Sequence, residues 1–85
     1  MSMLDEREKT HGDFMDTSAV SQQLKRYIAS WNRDLPDYQQ ESIDLICTKI
    51  ARILSGDPTN PDHWIDISGY AQLVVRILEN SEMKP

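Results

Sequence analysis

Residues 61 to 81, PDHWIDISGYAQLVVRILENS, carry apolar side chains nearly all the way round a helix. Trp64, Ile67, Tyr70, Ala71, Val74, Ile77 and Leu78 recur at helical spacing on one side, while Ile65, Leu73 and Val75 fall on the other. A helix that is apolar all round has to be buried nearly all round. Two partner helices drawn from a chain of 85 residues cannot cover it. The expectation is a homo-oligomer, a dimer or tetramer, joined through this third helix.

Start and stop signals divide the rest. Asn60-Pro61 is an N-cap residue followed by proline at the first helical position, and Asp62 suits the positive end of the helix dipole. A second helix is predicted over 37–55, opened by Pro36 and closed by Gly56 as a C′ residue, with Ile43, Ile46, Ile50, Ile53 and Leu54 as its apolar stripe. Asp57-Pro58-Thr59 makes the turn between them. Val20, Leu24, Ile28 and Trp31 predict a first helix over 17–32, with Asp16 or Thr17 as N-cap. Residues 1–16 are expected to be an N-terminal arm with a charged turn, irregular or partly helical through Leu4 to Lys9. No strand-period alternation occurs. The predicted fold is all-α, a small helical bundle of three main helices in one domain over 1–85.

Charge and composition narrow the function. A net charge of −5 and a pI of about 4.8, with no basic run, argue against nucleic acid as a partner. No apolar run reaches bilayer length, and MSMLDEREK is acidic and polar, so a cytoplasmic protein without a membrane partner is expected. The single Cys47, inside the apolar pattern of the second helix, reads as a small buried hydrophobe.

The polar residues of interest lie about the turn. In an antiparallel hairpin centred near Pro58, Lys49 comes level with Asp66 or Ile67. Lys49 and Arg52 share one face, and Asp62 and Asp66 share another. These four charges make either an ion-pair ladder that orders the hairpin, or a mouth in which carboxylates hold Mg²⁺ and the cations grip phosphate. Glu41 and Asp44, at i and i+3 early in the second helix, either favour the helix dipole or add metal ligands. Gly69 beside Tyr70 marks a close approach by a ligand or another backbone, or a tight helix crossing. His11-Gly12-Asp13 is a capped turn or an imidazole and carboxylate lid over a site. His63 reads as solvated surface.

The ordered set EREKTHGDF, LICTKIARI and DHWIDISGYAQLV resembles a family of small phage and prophage domains of unknown function. Members show an Arg before an aromatic-or-His, Gly and Asp turn, a K-x-x-R helix and a D-x-x-G-Y helix. The matching positions are Arg7, His11, Gly12, Asp13, Lys49, Arg52, Asp66, Gly69 and Tyr70. More distantly, that family is similar to all-α nucleotide pyrophosphohydrolases of the MazG type, which place Mg²⁺ between an E-x-x-E and an E-x-x-D pair. This chain departs from that pattern, with Glu41-x-x-Asp44 for the first pair and Asp62-x-x-x-Asp66 for the second. The resemblance implies Mg²⁺ held by Asp62, Asp66, Glu41 and Asp44. Asp66, Asp62, Lys49 and Arg52 would serve water attack on a nucleotide phosphate, and His11, Asp13 and Tyr70 would line the bound ligand. Two functions follow as expectations. One is a nucleotide-handling phage protein, catalytic or degenerate, and the other is a small acidic accessory protein that binds a host protein.

Overall fold

The computed structural model describes residues 12–83. It is all-α, with three helices: α1 over Phe14–Ser30, α2 over Asp37–Ser55 and α3 over Pro61–Met83. The Asn60-Pro61 and Pro36-Asp37 starts lie where the sequence puts them. Asn60 Oδ1 accepts the Asp62 amide at 2.9 Å, and Asp57 Oδ1 accepts both the amide and the hydroxyl of Thr59, at 2.9 and 2.6 Å, which holds the turn.

The start of α1 differs. Asp13, not Asp16 or Thr17, is the N-cap, its carboxylate accepting the Met15 amide at 3.1 Å. Thr17 is withdrawn from capping because it faces α2, where its hydroxyl meets that of Ser55 at 2.6 Å. α1 also stops earlier, at Ser30. Asn32 takes a left-handed backbone with φ of 52°, a common way to leave a helix. Gly56 ends α2 with φ of −120°, so it is not the left-handed C′ residue expected; its amide still bonds to the Arg52 carbonyl at 2.8 Å.

Gly12 does need to be glycine. Its φ is +84°, and a Cβ there would lie 2.5 Å from the Ser55 carbonyl oxygen. The Gly12-Asp13 turn is thereby pressed onto the C-terminal end of α2, and it carries the chain into α1.

The helices form an open layer. α2 is the middle element, antiparallel to both neighbours, and α1 and α3 do not contact one another. The α1–α2 seam is built of hydroxyls: besides Thr17 and Ser55, Ser21 approaches Thr48, and Lys25 Nζ donates to Thr48 Oγ1 at 3.1 Å. Across the other seam Ser42 donates to the Tyr70 carbonyl at 2.9 Å. The buried set among the described residues is correspondingly odd. Cys47, Ala51 and Ile53 are its apolar members, beside Thr17, Ser21, Ser42 and His63. Ile53 is therefore the one large aliphatic side chain buried among the described residues, whereas a chain of this size needs most of its Leu, Ile and aromatic residues inside.

Candidate functional site

Where α2 and α3 leave the turn, Lys49 Nζ meets Asp66 Oδ2 at 2.8 Å. Lys49 is mostly withdrawn from solvent and Asp66 is half-exposed. The hydrogen bond from Lys49 holds the Asp66 carboxyl below the ordinary carboxylate range, with the charges of Lys49, His63 and Arg52 adding to the effect. Arg52 thus belongs to the same electrostatic neighbourhood. Asp62 is exposed in the first turn of α3. On the turn itself, the Thr59 hydroxyl and amide lower the Asp57 carboxyl, again with help from His63.

His63 is the main correction. It is 1% exposed, not solvated surface, and it is the largest fully buried side chain among the described residues. The reason is phase. His63, Ile67, Tyr70 and Val74 are spaced by four, three and four, so they share the face of α3 that meets α2. That spacing was legible in the sequence, but the polarity of the imidazole masked it. Trp64, assigned by the same spacing to the core side, is instead 55% exposed, its indole N–H donating to the Pro58 carbonyl at 3.1 Å.

The remaining candidates are dispersed. Asp44 accepts from Gln40 Nε2 at 3.1 Å, and its charge, second to burial, raises the Cys47 thiol. Glu41 is exposed at the rim of a cleft. Glu41 and Asp44 stand about 12 and 7 Å before Lys49 along the axis of α2, so the two acidic pairs lie at different heights on the hairpin. Among the described residues no three His, Cys, Asp or Glu side chains form a group able to hold a metal ion. Asp13 is occupied as the cap of α1, and His11 and Arg7 lie outside the described residues. Gly69 has nothing within 4 Å of where a Cβ would stand, so no tight crossing within the chain requires it.

Tyr70 lines the cleft that Glu41 borders. This cleft, about 320 Å³, opens between the N-terminal half of α2 and the C-terminal half of α3. Tyr38, Leu45, Leu73, Val74 and Ile77 make its apolar walls, and Arg76 stands with Glu41 among its lining residues. It has room for a ring or a short aliphatic group, and it is separate from the Lys49–Asp66 pair. No helix of the described residues is long and apolar enough to cross a membrane. Compared with protein families, curated proteins and solved structures, the chain matches none.

Proposed function

We propose that this chain works by binding protein through an apolar surface, as an assembly or accessory module. The observation that supports this reading is the apolar surface left uncovered beside so small a core. Trp31, Leu54 and Trp64 are 73%, 68% and 55% exposed, and α3 adds Val75 and Leu78. Patches of this kind on a folded chain mark interaction surfaces. Homo-oligomerisation through α3 and capture of a host protein are both forms of this reading. The acidic net charge suits it, since it keeps a sticky chain soluble.

A second reading, nucleotide handling of the phage pyrophosphohydrolase kind, is favoured by one observation. Lys49 and Arg52 both act on Asp66 at the mouth of the hairpin, a pairing that a phosphate or a Mg²⁺ ion would compete for.

A thermal-shift scan with Mg²⁺ or Mn²⁺ and each common NTP and dNTP separates the two, because a ligand that binds only the native state raises the midpoint. The binding-module reading expects no shift with any of them. It also expects the native chain either to associate or to bind an apolar dye such as ANS. A metal-dependent shift with one nucleotide class, lost in Asp66→Ala, would replace it with the nucleotide reading. A native monomer that binds no dye would overturn it outright.

A further inference from the structure

We infer that the surface covering this chain is a second copy of itself, stacked on one face of the three-helix layer with α2 nearest the two-fold axis; this rests on the binding-module reading and names its partner. At about 100° per residue, α2 meets α1 through Thr48, Ala51 and Ser55 and meets α3 through Ser42, Lys49 and Ile53. The stripe between those seams is Ile43, Ile46 and Ile50, each partly exposed, and Leu54, which is exposed.

Both neighbours continue that stripe. α3 faces α2 with His63, Ile67 and Tyr70, so a quarter-turn away, on the side of the α2 isoleucines, it presents Trp64, Ala71, Val75 and Leu78. α1 faces α2 with Thr17, Ser21 and Ile28, and the same side of the layer receives Val20, Leu24, Tyr27 and Trp31. The three stripes carry no charged residue. Lys25, Glu41, Lys49, Arg52 and Asp66 all fall in the seams or on the opposite side, where the cleft also opens.

Area and symmetry select the occupant. Tyr27, Trp31 and Trp64, each more than half exposed, present on the order of 400 Å² between them. The aliphatic side chains around them bring the face to roughly 800 Å², which is what one partner contributes to a standard specific interface. A two-fold contact sets the same patch against itself, so a patch without charge needs no complementary sign from a different partner. The α2 stripe, spaced three, four and four, has the near-heptad repeat that lets a helix pack against an antiparallel copy. Joining two layers this way encloses Tyr27, Trp31, Leu54, Trp64, Val75 and Leu78, which one chain leaves exposed.

The test is the solution mass of the full chain by sedimentation or light scattering, measured across a range of concentrations, with three variants. The expected result is twice 9.8 kDa for the native chain and for Leu73→Lys, whose side chain lines the cleft on the opposite side. Ile50→Asp and Leu54→Lys should each halve the mass while far-UV circular dichroism stays helical. Should Ile50→Asp unfold, Leu54→Lys decides, because its side chain is 68% exposed within one chain. A native chain that stays at 9.8 kDa and binds ANS overturns the second copy while leaving the binding-module reading intact. A native chain at 9.8 kDa that binds no dye overturns both. A dimer unaffected by either face variant places the interface elsewhere and overturns this proposal alone.

Discussion

Single residues decide how the ends of this structure are held. Gly12 combines a left-handed backbone with a 2.5 Å approach that a Cβ would make to the Ser55 carbonyl oxygen. Gly12→Ala is expected to cost about 1–3 kcal/mol, read as a lower urea midpoint, because both the backbone strain and the clash fall on rigid main chain. Asp66 makes a different prediction. Its folded carboxyl titrates below its unfolded value, so the contribution of the Lys49 pair is present above the unfolded value, about 3.9, and is lost as pH falls through the folded one. Asp57 acts in the same direction. Urea midpoints at neutral pH and near pH 3 should therefore diverge more for the native chain than for Lys49→Met, in which the strongest cause of the Asp66 shift is gone. Equal divergence would show that the pair does not set the acid sensitivity. Cys47, buried and with its thiol pushed upward, behaves as the small hydrophobe its setting suggests.

Helix existence and approximate bounds were legible as local signals, since caps and proline stops act within a few residues. What the local signals missed was competition for the same side chain. Thr17 has the chemistry of an N-cap, but it is used across the seam to Ser55, so the cap moved to Asp13. His63 has the polarity of a surface residue, but the phase of the face that meets α2. Gly69 is the clearest element-scale test. It lies inside α3 with open space where a Cβ would go, so Gly69→Ala should stabilise the chain by about 0.8–1 kcal/mol through helix propensity alone. A thermal midpoint that falls instead would reveal a partner or ligand backbone seated against that position.

At the scale of the whole molecule, α2 is flanked by α1 and α3, and large apolar side chains such as Tyr27, Leu54 and Trp64 stay exposed on all three helices. Hydroxyls line the α1–α2 seam and draw those helices close, while Ile43, Ile46 and Ile50 of α2 are only partly buried and Leu54 is exposed. Stability that depends on covering these side chains with a second copy depends on protein concentration by mass action. The midpoint of thermal unfolding is expected to rise by several degrees over a hundredfold increase in concentration for the native chain, and to stay constant for Leu54→Lys. A midpoint independent of concentration in the native chain would mean that one copy carries its own stability.

The amino-acid sequence by itself determined the three helices, the turn at Asp57-Pro58-Thr59 and the placing of Lys49 level with Asp66 or Ile67, because periodicity, capping and the antiparallel register of a short hairpin are all local constraints. It also carried the excess of apolar surface in α3. Tertiary structure alone decided that α1 and α3 flank α2 instead of closing on one another, and that the acidic pairs stand apart along the hairpin. Those outcomes depend on which face of α2 each neighbour chooses. That choice is made by side chains up to 38 residues apart, such as Thr17 and Ser55, that no local pattern connects.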